Sequence, residues 1–362
     1  MTTMTLNDVP DTAAVFGGVD THKDTHTAAA VDAAGRMLGT AQFPATPAGY
    51  RQLLTWLRGQ GPLAVIGVEG TGAYGAGLAR HLHTEQVAVV EVDRPDRKTR
   101  RQQGKSDPVD AQAAARAALA GQRTGSPKTS DGQIEAIRNL RVARRSAIAH
   151  RAACTVQIKS LLITAPDPLR EQLRHLPNAA LHTTCAGLRP DLTRIADPTQ
   201  AAKAALRSLA RRHGALTEEI NELDALLEPL VTTAAPALLE LNGVGVDAAG
   251  QLLVTFGQNR ERIRSEGAFA MLCAAAPLPA SSGRTNRHRL NRGGDRQANA
   301  TLYRIVLSRM RWDPRTRDYV TRRTTEGLSK KEIIRCLKRY IAREIYYTLT
   351  QPDASTPPTN TA

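Results

Sequence analysis

Two apolar runs, "VFGGVD" (15–20) and "PLAVIGVEG" (62–70), each finish on a carboxylate, Asp20 and Glu69. Both are short and bounded by turn residues, the pattern of buried strands. Between them lie "HTAAAVD" (26–32), the turn "AAGR" and "MLGTAQFP" (37–44), which complete a three-strand meander. "TPAGYRQLLTWLRGQ" (46–60) follows with helical periodicity, Thr46 as its cap and Pro47 at its first position. A helix over "AYGAGLARHLHTEQ" (73–86), a buried strand "VAVVEVD" (87–93) and a helix opening at Asp107 extend the order to βββαβαβα. A helical crossover returns the fourth strand beside the first and parallel to it, so the order predicts a mixed sheet. Asp20 and Glu69 then emerge together at one edge of that sheet.

"GKSDPVDAQAAARAAL" (104–119) adds two aspartates three residues apart. One reading makes them capping residues: Asp107 as N-cap, Pro108 at the first helical position and Asp110 facing the free amides, a cap worth about 1 kcal/mol. The other makes them ligands. The helix follows the fifth strand and can lie across the same sheet edge, with both aspartates on its first turn. Four carboxylates would then converge, and each like-charge pair at ~4 Å costs about 4 kcal/mol at an effective dielectric of about 20. Such a cluster needs cations, and hard divalent ions with oxygen ligands suit it. Two ions about 3.5–4 Å apart could serve phosphodiester chemistry. His22, Lys23, Asp24 and His26 in "DTHKDTH", and Thr71 and Tyr74 in "EGTGAY", either contact substrate or simply build polar turns.

Charge separates along the 362 residues, whose formal net charge is +15. Residues 1–96 hold 6 Lys+Arg against 10 Asp+Glu, residues 97–151 hold 13 against 4, and residues 260–347 hold 21 against 8. An acidic module followed by two basic ones suits a cation site beside a polyanion, most simply nucleic acid. Lys98, Arg100 and Arg101 in "RPDRKTRRQQGK" are candidates for backbone contacts. The four cysteines, Cys154, Cys185, Cys273 and Cys336, form no CxxC pair, against zinc-finger and disulfide-scaffold readings. No apolar run approaches the ~20 residues of a membrane span and "MTTMTLNDVPDTAA" lacks a signal-peptide pattern, so a cytoplasmic location is expected. The tails 1–14 and 350–362 read as disordered.

The expected organisation is an α/β domain over 15–130, a helical or coiled-coil arm over 131–235 and a mainly helical domain over 236–349. Long stretches such as "HGALTEEINELDALLEPLV" space apolar residues by three and four, suiting a hairpin, a dimerisation element or a plain spacer. "LNGVGVDAAGQLLVTFG" (241–257) is either a phosphate-gripping helix-hairpin-helix or an ordinary glycine turn. In "LCAAAPLPASSGRTNRHRLNRGGDRQANATLYRIVL" (272–307), Ser282 precedes Arg284, Arg287, His288, Arg289, Arg292 and Arg296. A serine there could attack phosphorus while guanidinium groups hold the phosphate oxygens, or the loop could bind nucleic acid without chemistry.

Taken together, "GVDTHKDTH", "GVEGTGAYG", "GKSDPVDAQAAA" and "AAAPLPASSGRTNRHRLNRGGDRQANATL" resemble the insertion-sequence transposases of the DEDD class, the bridge-RNA-guided serine recombinases, over roughly residues 15–347. The resemblance implies a RuvC-like, RNase H-fold N-terminal domain whose acidic residues are Asp20, Glu69, Asp107 and Asp110. It also implies a C-terminal transposase domain whose catalytic serine precedes a glycine, here Ser282 before Gly283. Magnesium, donor and target DNA chosen by base pairing to a structured RNA from the element, a covalent serine–DNA intermediate, and dimers or tetramers with shared sites are implied with them. Two other functions fit the residues: a junction resolvase or nuclease using the carboxylates alone, and a non-enzymatic nucleic-acid-binding protein whose binding ignores magnesium and falls with salt.

Overall fold

The computed structural model describes residues 13–92, 106–121, 124–284 and 288–351. They form two compact units, the first comprising residues up to 132 together with 256–264 and the second the remainder.

In the first unit β1 (Val15–Thr21), β2 (Thr25–Asp32) and β3 (Met37–Pro44) make an antiparallel meander. The helix α1 (Pro47–Arg58) carries the chain to β4 (Leu63–Glu69), which lies parallel to β1. A second crossover through α2 (Ala76–Thr84) brings in β5 (Val89–Val92), parallel to β4. After α3 (Asp107–Ala120), the two-residue β6 (Thr124–Gly125) closes the far edge, giving the order β3-β2-β1-β4-β5-β6. The mixed sheet and its parallel central pair are those expected from the strand order. β6 is not foreshadowed, because two residues carry no periodicity to read.

The two faces of the sheet are packed differently. Alternate residues of a strand point to opposite sides. Val15, Val19, Ala28, Ala30, Ile66 and Val68 face one side, where Leu53, Leu54 and Leu57 of α1 and Leu78 and Leu82 of α2 complete a core. Thr46 caps α1, its hydroxyl accepting from the Gly49 amide at 3.2 Å. The opposite face is covered by α3, whose buried Ala111, Ala114, Ala115 and Ala118 recur at helical spacing. The strands meet that alanine stripe with glycine. A β-carbon on Gly18 would lie 2.1 Å from the Ala115 nitrogen and 2.2 Å from the Ala111 oxygen, and one on Gly67 would lie 2.6 Å from the Ala114 oxygen. Glycine here permits a backbone-to-backbone approach that no other residue allows.

The segment Phe256–Arg264 packs with this unit: the Asn259 side-chain amide donates to the Pro127 carbonyl at 2.8 Å.

The second unit begins with α4 (Gly132–Ile163), which is paired along its length with α7 (Pro198–Ala234). Gln133 donates to the Leu230 carbonyl at 2.9 Å, Arg144 pairs with Asp224, and Ile158 shares a core with Leu206. Numbers rise on one helix as they fall on the other, so the two form an antiparallel hairpin. Its far end is closed by α5 (Asp167–Leu173) and α6 (Asn178–Ala186), whose Leu169, Leu173, Leu181 and Cys185 join that core.

Beyond α8 (Pro236–Leu239), the turn at Gly243 (φ +77°) leads into α9 (Val246–Phe256). Asp247 in the first turn of α9 is held by Arg141, Arg144 and Arg304 at 2.9, 3.0 and 3.2 Å. The chain ends in α10 (Glu266–Leu272), the short hairpin β7 (Leu278–Pro279) and β8 (His288–Arg289), then α11 (Arg296–Trp312), α12 (Pro314–Thr325) and α13 (Lys330–Thr350). α13 packs on α10, α11 and α12 and opens with a full capping box between Ser329 and Glu332.

Candidate functional site

Asp20 and Glu69 stand two residues beyond Gly18 and Gly67, so by alternation they project from the face that α3 covers. The next ladder position after Val19 and Val68 belongs to them, and Thr21 ties the two strand ends by donating its hydroxyl to the Glu69 carbonyl at 2.8 Å. Two strand residues span about 6.6 Å and four helical residues about 6 Å. The contact of Gly18 with Ala111 therefore puts Asp107, one turn earlier, beside Asp20. The glycine–alanine approach builds the site.

α3 starts one residue earlier than the capping pattern predicts. Ser106 occupies the cap position without a side-chain cap hydrogen bond, and Asp107 is the first helical residue. Pro108 tolerates the second position as well as the first, because both lack an intrahelical amide partner. Asp110 is thus displaced from the third position to the fourth, and it is 5 % exposed.

Ligand atoms of Asp20, His22 and Asp107 lie within 4.8 Å of one another. Asp20 is 7 % exposed, and its Oδ2 has no hydrogen-bond partner, with His22 Nδ1 3.6 Å away. Burial pushes the Asp20 carboxyl above the ordinary aspartate range; His22 opposes that, and the charges of Glu69, Asp110 and Asp107 add to it. The other three carboxylates are thus near enough for their charges to reach Asp20, although only Asp107 joins Asp20 and His22 in the 4.8 Å group. An orphaned, buried oxygen beside Asp107 and His22, with two further carboxylates near enough to act on it, fits a hard divalent cation.

The neighbouring candidates divide. His22 joins the cluster, whereas Lys23 and Asp24 are exposed in the turn. His26 is fully buried on the opposite face of the sheet, stacked on Tyr50 with ring centroids 5.6 Å apart. Burial lowers its basicity, and it belongs to the core. Thr71 is buried and Tyr74 is exposed. His22 could have been singled out from sequence by its place two residues after Asp20, where the strand ends and the chain turns back over the edge.

Ser282 lies in the second unit, exposed in the connection between β7 and β8. Arg284, Arg289, Arg292 and Arg296 are likewise exposed. Lys98, Arg100, Arg101 and Arg287 lie outside the described residues.

Residues 17–165 match the DEDD transposase family of the IS110 type, and residues 235–321 match the transposase family IS116/IS110/IS902. The two matches fall in chain order on the carboxylate unit and the serine region. The chain belongs to the IS110-type DEDD transposase family. It is 28% identical over 166 residues, 45% of the chain, to an insertion element IS900 protein of 42 kDa from Mycobacterium paratuberculosis. It is 31% identical over 136 residues, 36% of the chain, to an insertion element IS110 protein of 43.6 kDa from Streptomyces coelicolor. These stretches span 42% and 33% of the two relatives' own lengths. Among the described residues no helix of this transposase-family chain is long and apolar enough to cross a membrane.

Proposed function

We propose that this chain is an RNA-guided DNA recombinase that mobilises its own insertion sequence, cutting and rejoining DNA through a carboxylate–Mg²⁺ site and a serine nucleophile. The reading rests above all on the gathering of Asp20, His22 and Asp107 at the unpartnered Asp20 Oδ2, with Glu69 and Asp110 near enough for their charges to reach Asp20, in a chain of the DEDD transposase family. The first unit is taken as a RuvC-like, RNase H-fold domain, the α4–α7 hairpin as a connecting arm and the rest as the transposase domain.

Asp20, Glu69, Asp107 and Asp110 are the residues that would hold the cations, with His22 beside them. When bound, divalent ions supply Lewis-acid polarisation of a phosphoryl oxygen and charge neutralisation. Burial of Asp20 and Asp110 keeps water from competing for the same positions. Ser282 Oγ forms a bond to phosphorus as one bridging P–O bond breaks; the hydroxyl proton passes to solvent and the leaving deoxyribose oxygen takes one up. The number of phosphodiester linkages is unchanged, so the same residues can run the step backward to rejoin strands. Arg284, Arg287, Arg289, Arg292 and Arg296, with Lys98, Arg100 and Arg101, neutralise backbone phosphates. Sequence choice is delegated to base pairing with a structured RNA of the element, and dimers or tetramers share the sites.

The test is covalent trapping. The protein is incubated with Mg²⁺, RNA transcribed from the element's flanks and labelled target DNA, then denatured. DNA attached to protein, lost in Ser282→Ala, kept in Ser281→Ala and dependent on Asp20, is the expected result. Nicking without attachment, indifferent to Ser282→Ala, would replace this reading with a carboxylate-only nuclease.

A further inference from the structure

The second unit contains a cavity of about 720 Å³, within the ordinary range for small-ligand sites, of whose lining the chemistry above uses Arg289 but neither Lys338 nor Tyr340. Its walls come from the residues after α10, from β8 and from α13, and α13 lies outside both family matches. Lys338 lines it while being 7 % exposed. Its ammonium donates to the Asn299 side-chain oxygen at 3.0 Å, and among the described residues it has no carboxylate partner. The orientation of Asn299 is set from behind, because its amide nitrogen donates to the Cys273 and Ala274 carbonyls, each at 3.0 Å. Ala274 reaches that arrangement through a left-handed φ of +53°, a conformation with an energetic cost for a residue with a β-carbon.

A buried lysine with one neutral acceptor keeps two N–H donors and a positive charge without a counter-ion. Burial, and then the neighbouring charge of Arg335, lowers its basicity. The carboxylates nearby are engaged by other cations: Glu332 closes the capping box and faces Arg335 at 3.8 Å, and Glu266 pairs with Arg339 and Arg343. The rest of the lining mixes alanine, proline and leucine side chains with Arg289, Arg335 and Arg339. Tyr340 is half exposed on it, its ring held edge-to-face by Tyr319 at 5.8 Å.

A charged floor with an aromatic wall is a pattern that takes a phosphate and a base together. The cavity also adjoins the hairpin of the proposed nucleophile. Pro279 pairs with His288, which lines the cavity, and Ser282 follows Pro279 by three residues, a reach of at most about 11 Å.

We propose that this cavity receives one unpaired nucleotide of the DNA strand that Ser282 attacks, with its phosphate on Lys338 and its base against Tyr340. The assignment rests on the serine reading for the identity of the strand, but its test does not. Held there, the nucleotide fixes the register of the strand relative to the hairpin, making Lys338 a positioning residue.

Cys336 lines the same cavity and is partly exposed, while Cys154, Cys185 and Cys273 are buried. Its alkylation by N-ethylmaleimide, located by mass spectrometry on the full chain, therefore reports occupancy locally. A dT4 oligonucleotide should slow that alkylation at least five-fold. Lys338→Met, which keeps the stem and removes the charge, should raise the dT4 concentration for half-protection at least ten-fold with an unchanged circular dichroism spectrum. Tyr340→Leu should weaken protection separately, and Lys338→Arg should restore part of it. Equal protection by inorganic phosphate or stronger protection by rU4 would overturn the proposal, as would no protection or protection unaltered in Lys338→Met. Loss of covalent trapping as the readout of Ser282 leaves this footprint untouched, so the two readings fail separately.

Discussion

Replacing Asp20 with asparagine should make the metal-free protein more stable while removing its response to magnesium. The side chain keeps its shape and loses its charge. Ligand oxygens of Asp20 and Asp107 lie within 4.8 Å, where an effective dielectric of about 20 gives a repulsion of about 3.5 kcal/mol. Attraction to His22, 3.6 Å from Asp20 Oδ2, and solvent screening offset part of it; a net gain of about 1–2 kcal/mol, or about 2–8 °C in melting temperature, is expected. Since the folded-state pKa of Asp20 is raised, the native protein binds more protons than the unfolded chain from the ordinary aspartate value, about 3.9, up to the raised one. Wild-type stability in chelator should therefore increase as pH falls through that window, an increase the variant lacks. Differential scanning fluorimetry in EDTA and in Mg²⁺ measures both effects. Magnesium should raise the wild-type melting temperature and leave Asp20→Asn nearly unmoved. A variant that melts lower than wild type in EDTA, or gains as much from magnesium, would refute a carboxylate cluster held together by cations.

Other substitutions probe the scaffold and the site. Gly18→Ala places a β-carbon 2.1 Å from the Ala115 nitrogen, so α3 must lift; a loss of at least about 3 kcal/mol by denaturant titration and loss of DNA attachment are expected. Asp247→Asn leaves Arg141, Arg144 and Arg304 without their shared carboxylate and should cost about 3 kcal/mol in the same titration, given that Arg141 and Arg144 are largely buried. Glu69→Gln should abolish recombination in the trapping assay without loss of helical circular dichroism signal. Under native conditions N-ethylmaleimide should modify Cys336 well before Cys273, whose thiol is buried and pushed far above its ordinary range.

Much of the first unit can be read from short local patterns. Alternation of apolar runs and helical segments specifies βββαβαβα, and the crossover rule places β4 beside β1, so the meeting of Asp20 and Glu69 follows from residue order alone. His22 and His26 are harder to sort, since both sit in one polar heptapeptide. Strand pairing sends His26 into the core behind the sheet and leaves His22 at the cluster, because alternation only acquires a meaning once the faces are covered. Lys338 shows the opposite limit. It lies in a run of basic residues on an amphipathic helix, and only the packing of α13 against Asn299 and the turn at Ala274 removes it from water.

Local periodicity and composition specify β1 to β5 with their connecting helices, the alanine-rich run of α3 and the separation of acidic from basic segments. Tertiary structure alone decided that α3 can descend onto Gly18 and Gly67 closely enough to carry Asp107 and Asp110 to Asp20, and that Lys338 faces a cavity instead of solvent. The reason is physical: a periodic pattern states which side of an element is buried, whereas the distance between elements is set by the volumes of side chains that meet from distant parts of the chain.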